Sequence, residues 1–582
     1  MSRRETTDER ENESMLSFWE ERRRLNRAVF DWCLRNAERC MGEPALEKSF
    51  QWAQLAARIV IRFPFDQMAS PALEEHLLRI AKELPVPRHN AAHGDQAHKR
   101  WLHVFTETYP YGGHTANLRR WIELDAIGHR HSVVLLDQKK EVPAALRELA
   151  HRTGGEVLKM DPNAPLLSRA MQLREASMEA DVVVMHLHPH EVIPVVALGI
   201  SCGPPVLLMN VADHEFWIGG SVADLVLNMR ESGGDWIVRH RGIKRISYLP
   251  MPLPTPESRT KAGQQRSELH ASMRKALDLP LDAPVLFASG ETYKYKPLPD
   301  LNFFDAVRAI LKSCPDAYLL AVGPSELDDW KSLREVTEGR VRAVGLQTDV
   351  SVYRACADIY LEGFPFGSNA AFLEACIEGI PCVRAPRSCL PQVTSDGMAP
   401  RQLEQPADVS AYIRRAIELI TDKDERRRCG KFLATAIRER HTGSGWLKYL
   451  RSVEAQLPSS HSVYHLPVPE PVPQGAADFW TQLLTERYNA DPLDEAYRLA
   501  ISSGLKPKMD GLLMKAVRSA KHVRGGRAAH EVLIALLGPM LSMLPTDTSS
   551  LIYDKVVGHL CHDGRIMSTC RWISNGFSPR SC

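Results

Sequence analysis

The stretch Leu361-Glu362-Gly363-Phe364-Pro365-Phe366-Gly367-Ser368-Asn369-Ala370-Ala371-Phe372-Leu373-Glu374-Ala375-Cys376-Ile377-Glu378-Gly379-Ile380-Pro381 reads as a strand end, a turn, a helix and the approach to a further strand. Ile359 to Leu361 and Cys382 to Val383 are the short aliphatic runs on either side. Gly367, Ser368 and Asn369 have the composition of a turn and helix N-cap, and Phe372, Leu373 and Cys376 fall at core spacing along the helix. Strand, helix and strand in close succession are the repeating unit of a parallel sheet.

The same alternation extends backwards through Val341 to Val344, Tyr318 to Val322 and Val285 to Ala288. A polar linker, Pro252 to Gln265, separates it from an earlier alternation with strands at His103 to Phe105, Ser132 to Leu136, Asp181 to Met185 and Pro205 to Met209. The expected fold is therefore α/β: two Rossmann-like domains, residues 99–255 and 275–455, facing each other across a cleft. Helical segments are added at both ends. Residues 1–14 are charged and lack branched aliphatics, as in a disordered tail, and 15–98 carry apolar residues at three and four spacings, such as Leu46, Phe50, Ala53, Ala57 and Val60. A proline-rich stretch, 456–475, reads as a linker to a helical region at 476–582.

Bulk composition narrows the function. Lys plus Arg number 73 against 71 Asp plus Glu, a formal net charge of +2, which gives no basic surface for nonspecific nucleic-acid binding. The 12 scattered cysteines and the absence of an apolar leader fit a cytoplasmic protein. No apolar run approaches the ~20 residues needed to span a bilayer, which leaves only peripheral membrane contact open.

Three segments carry candidate chemistry. Gly112 and Gly113, in Tyr109-Pro110-Tyr111-Gly112-Gly113-His114-Thr115, lie between a strand and a helix start, where the backbone can approach a phosphate closely. Lys294 and Lys296, in Gly290-Glu291-Thr292-Tyr293-Lys294-Tyr295-Lys296-Pro297, follow the first strand of the second domain and can offset charge on a leaving diphosphate. Ser368, Asn369 and Ala370 open a helix whose free N–H groups can bind phosphate oxygens, and Glu374, one turn later, can accept hydrogen bonds from ribose hydroxyls.

The Gly-Gly loop, its helix and the turn Gly128-His129 resemble the opening of group 1 glycosyltransferases. Asp181-Val182-Val183-Val184-Met185-His186-Leu187-His188 resembles that family's Asp-Val-Val-His-x-His strand end. The lysine of that family falls at Lys296, but its arginine falls at Glu291; of its two glutamates Glu374 matches the second, and the first is Phe366. Tyr293-Lys294-Tyr295-Lys296-Pro297 is instead similar to the Tyr-Lys-x-x-Pro segment of O-GlcNAc transferase-like enzymes, which makes Lys294 the phosphate ligand; their Thr-Thr pair is here Ala370-Ala371. Both resemblances imply a GT-B glycosyltransferase using a nucleotide-sugar donor, with UDP-sugar as the implied donor and a glycan, protein or lipid-linked acceptor.

His214, in Asn210-Val211-Ala212-Asp213-His214-Glu215, lies where the family often carries a cleft histidine, with Asp213 able to orient it. His114 has a similar claim. No metal is expected. His186, His188 and His190 alternate on a strand end without a further partner, and His559, Cys561, His562 and Cys570 match no standard zinc spacing. A nucleotide-sugar epimerase of the same fold and a non-catalytic binding scaffold are the rival readings, and retention or inversion at the sugar is left open.

Overall fold

Strands buried on both faces need near-continuous apolar runs, and Val182–His186 and Val206–Asn210 are buried at every position. The computed structural model describes residues 2–42, 44–87, 98–109, 113–254, 262–488 and 490–507. In the first domain seven parallel strands, β1 (Arg100–Phe105), β2 (Arg130–Leu135), β3 (Val157–Lys159), β4 (Val182–His186), β5 (Val206–Asn210), β6 (Leu225–Asn228) and β7 (Ile246–Tyr248), lie in the order β3-β2-β1-β4-β5-β6-β7. In the second, β8 (Val285–Ser289), β9 (Tyr318–Val322), β10 (Val341–Ala343), β11 (Ile359–Leu361) and β12 (Cys382–Val383) lie in the order β10-β9-β8-β11-β12, again all parallel. Each sheet reverses its strand order beside its first strand, between β1 and β4 and between β8 and β11. Loops leaving the carboxyl ends on either side of such a point diverge and leave a crevice. The protein is thus an α/β molecule with two Rossmann-like domains.

The N-terminal helices are bolted to the first domain by two buried charges. Glu74, in the Pro71–Glu83 helix, accepts from the backbone N–H groups of Gly219 (3.1 Å), Gly220 (3.2 Å) and Ser221 (2.7 Å). Arg174 donates to the carbonyls of Ala81, Leu84 and Pro85 on one side and Val196 and Ala197 on the other, at 2.8–3.0 Å, so one guanidinium caps the ends of two helices. The first helix spans Ser2–Arg39 and so takes in the stretch that its charge assigns to a disordered tail; its Arg and Glu residues, uninterrupted by Pro or Gly, have high helix propensity.

Beyond the second domain, the Gly443–Glu454 helix returns to the first, where Trp446 Nε1 donates to Pro250 O at 2.7 Å. The stretch expected as a linker has no regular structure, as its prolines require, but it is docked rather than free. His461 sits 2.8 Å from both Asp224 Oδ2 and Leu198 O, Tyr464 donates to Asp224 Oδ1 at 2.9 Å, and Val472 N–H donates to Asp66 O at 2.8 Å. Helices Gln474–Tyr488 and Pro492–Ser502 follow. The His559 to Cys570 cluster lies outside the described residues. Among the described residues no helix is long and apolar enough to cross a membrane.

Candidate active site between the two domains

The two switch points face each other across a cleft of about 320 Å³. Its first-domain wall includes Gly113, His114 and His188 from beyond β1 and β4, and Asp213, His214 and Glu215 from beyond β5; its second-domain wall includes Tyr293, Lys294, Phe366, Gly367 and Asn369. Gly113 and Ala370 face each other across the gap: a Cβ on Gly113 would lie 3.5 Å from the Ala370 methyl. Gly112 lies outside the described residues.

The alternative between the two lysines is a matter of position. Lys294, in the short Thr292–Tyr295 turn, directs Nζ to Gly367 O (3.1 Å) and Ser368 Oγ (3.2 Å) and over the Phe366 ring (4.7 Å). Burial pushes its pKa down to about 8, against the pull of Glu291. Lys296 is exposed and is not among the residues that line the cleft. A Cβ at Gly290 would come within 2.8 Å of Ser368 Oγ, so any larger residue there would have to displace the hydroxyl that meets Lys294.

Ser368 occupies the N-cap position of the Asn369–Ile377 helix, but its side chain makes no cap hydrogen bond; the hydroxyl is turned to Lys294 instead. Expected as a cap, it leaves the first-turn N–H groups without a side-chain partner, at a helix start that already favours an anion. Asn369, in the amide orientation that satisfies both ends, donates to Thr394 O (2.9 Å) and accepts from Arg230 (2.8 Å).

Glu374 is not free. Its Oε1 accepts from Arg120, of the first-domain helix Gly113–Asp125, and its Oε2 accepts from Arg354 at 2.9 Å. The carboxylate therefore ties the two domains together in this state.

The two histidines are shifted in opposite directions. Burial disfavours the His214 imidazolium, but the carboxylates of Asp213 (3.8 Å) and Glu215 (3.6 Å) outweigh it and hold the pKa above the ordinary value. Burial pushes His114 down to about 3, with the charge of His188 acting in the same direction, so His114 is neutral near pH 7, and its Nε2 has no hydrogen-bond partner among the described residues. His188 stands 6.0 Å from it, ring to ring.

No family model matches the chain, and no curated protein matches it in sequence. A glycosyltransferase from Rickettsia africae is similar in structure, with a TM-score of 0.46 and 12% identity, covering 62% of this chain and 98% of its own. An O-GlcNAc transferase from Thermobaculum terrenum gives 0.45 and 16% over 73% of this chain and 82% of its own. The UDP-GlcNAc 2-epimerase of Neisseria meningitidis, solved with UDP-GlcNAc bound, gives 0.39 and 12% over 61% and 100%.

Two features had no counterpart in the sequence reading. Arg230, from beyond β6, enters the second domain, pairing with Asp213 (2.7 Å) and donating to the carbonyls of Gln392, Thr394 and Asp396. Beneath the cleft, His131, His103 and His186 form a buried row across β2, β1 and β4, with two 3.0 Å hydrogen bonds, ending 3.2 Å from Asp125. Their nitrogens point at one another instead of converging, and among the described residues no group of His, Cys, Asp or Glu is arranged to hold a metal ion.

Proposed function

We propose that the chain is a glycosyltransferase whose sugar comes from a nucleoside diphosphate donor held in the interdomain cleft. The observation that carries this is the placing of the Lys294 ammonium against the N-terminus of the Asn369–Ile377 helix, at the switch point of the second sheet and opposite His114 and His214. Lysine and helix start together offer positive charge to a diphosphate.

In the reaction, the bond between the anomeric carbon and the diphosphate oxygen breaks, its electron pair leaves on the diphosphate, an acceptor hydroxyl oxygen bonds to the carbon, and the hydroxyl proton passes to a neighbouring base such as His114 or to the departing diphosphate. Lys294 and the helix amides stabilise the departing charge. His214, whose charged form its carboxylate neighbours favour, can supply a further positive group or a proton on the first-domain side. His114 offers an unpartnered nitrogen to a hydroxyl, and its proton affinity rises as negative charge builds beside it. Protein groups carry this stabilisation, so the reaction is expected to persist in EDTA. UDP-sugars are the donors implied by the sequence resemblance, and the acceptor is a glycan, protein or lipid-linked group.

The occupied Glu374 carboxylate favours a second reading, a scaffold that binds the nucleotide without turnover. Calorimetric titration of UDP, GDP, ADP and their sugar conjugates into the wild type and Lys294→Met tests the site, and release of free nucleotide on offering acceptors separates the readings. Binding lost in the variant, with release, supports transfer. Binding without release supports the scaffold, and binding to none of these ligands refutes both.

A further inference from the structure

The Gln474–Tyr488 helix belongs to neither α/β domain, yet it packs against the back of residues that line the cleft. Trp480 anchors it there, with its ring 5.2 Å from the His214 imidazole and 6.0 Å from Phe366. Leu483 and Leu484 are buried in a cluster that includes Met68 of the N-terminal region and Val393 of the second domain, so packing fixes the helix at that wall. Two turns after Trp480, the Arg487 guanidinium lies 3.9 Å over the ring of Tyr293, which lines the cleft next to Lys294.

A diphosphate carries more than one negative charge, and the Arg and Lys side chains that line the cleft are largely committed. Arg230 spends its donors on three carbonyls and its charge on Asp213. Lys294 already donates to Gly367 and Ser368. Arg487, one ring back from the cleft lining, is different: Glu291 is 4.0 Å away, beyond hydrogen-bond range, and among the described residues its guanidinium makes no hydrogen bond. The Arg487 charge is felt at Lys294, where it adds to the lowering of that pKa. A guanidinium stacked on an aromatic face keeps its edge N–H groups free, in the planar fork that suits two phosphate oxygens.

We infer that Arg487 is a second diphosphate ligand of the cleft, carried there by a helix outside both Rossmann-like domains and held on the Tyr293 ring beside Lys294. This rests on the donor cleft proposed above. Glu291 then competes with the phosphates for Arg487, which gives the inference a signature that a purely structural arginine lacks.

The test titrates UDP, and uridine by ligand-observed NMR, into the wild type, Arg487→Met, Arg487→Lys and Glu291→Gln, with thermal melts confirming that each folds. Arg487→Met is expected to weaken UDP about tenfold and leave uridine unchanged. Arg487→Lys recovers part of the loss, and Glu291→Gln tightens UDP. If the wild type binds UDP and both Arg487→Met and Glu291→Gln bind it equally well, this inference is overturned while the donor cleft stands. If Arg487→Met weakens uridine as much as UDP, the arginine only supports the wall and the inference again fails. If the wild type binds neither UDP nor any other nucleoside diphosphate, the donor cleft itself is wrong and the inference falls with it.

Discussion

Replacing Arg120 by methionine is expected to tighten nucleotide binding, because the arginine holds a carboxylate oxygen that a ribose would need. Arg120 and Glu374 are 16% and 21% exposed, between a solvated surface pair and a fully buried one, and such a pair is worth about 1–2 kcal/mol. In the variant Glu374 still has Arg354 at 2.9 Å, so no uncompensated charge is left behind, and Arg354 in turn keeps Glu378 at 2.8 Å. The methionine retains most of the arginine's apolar stem. Nor do the domains lose their other fastening, since Arg230 remains inserted among the carbonyls of the second domain. A ribose that displaces Arg120 must repay the ion pair, so its removal lowers Kd by roughly 5- to 30-fold at 1.4 kcal/mol per decade. The assay is calorimetry with UDP on the wild type, Arg120→Met, Glu374→Gln and the double variant. Tightening in Arg120→Met that vanishes on the Glu374→Gln background is the expected coupling. Unchanged or weaker binding in Arg120→Met refutes the reasoning, and would mean that Glu374 closes the domains without serving the ribose.

Three further outcomes are expected. With its pKa near 8, Lys294 loses its charge as pH rises through that value, so UDP affinity should be roughly tenfold weaker at pH 9.5 than at pH 7.5, and Lys294→Met, left only with the titration of His214, should show a clearly smaller fall when measured by calorimetry. Gly290→Ala places a methyl 2.8 Å from Ser368 Oγ and 3.2 Å from Lys294 Cδ; nucleotide binding should drop at least tenfold while the melting temperature changes little, and undiminished binding would show that these side chains yield freely. Arg174→Met leaves five carbonyls without their donor and should cost about 3–5 kcal/mol in urea unfolding, whereas a loss below about 1 kcal/mol would mean that water replaces the guanidinium.

Legibility of the fold followed burial. Tyr318 to Val322, Ile359 to Leu361 and Cys382 to Val383 have the same bounds as β9, β11 and β12, because a strand covered on both faces must be apolar throughout. The edge strands β3 and β7 gave no such signal: β3 is exposed at Leu158 and Lys159, and β7 is only partly buried throughout. β6 is buried throughout, but with Met229 after it and Val222 and Ala223 shortly before it its bounds are not marked off in the sequence. The docking of the proline-rich stretch depends on Asp224 receiving His461 and Tyr464, a pairing across more than two hundred residues that no local pattern encodes.

The site divides in the same way, and the division bears on how it works. Gly113, Lys294, Ser368 and Asn369 were legible because each sits just beyond a strand end, and the parallel topology carries such ends to one crevice whatever the rest of the chain does. Arginines follow no such rule. Arg120 on a helix flank, Arg230 beyond β6 and Arg487 near the end of an added helix acquire their roles only from the carboxylates, carbonyls and rings that the fold brings to them. Glu374 shows the consequence most sharply: read locally it is an open carboxylate facing a ribose, but in the folded chain both oxygens are held, one of them by the opposite domain. On the proposed reading, donor binding at that carboxylate therefore cannot be separated from domain closure. A nucleotide that claims Oε1 releases Arg120 from the second domain, and the free energy of that release enters the measured affinity.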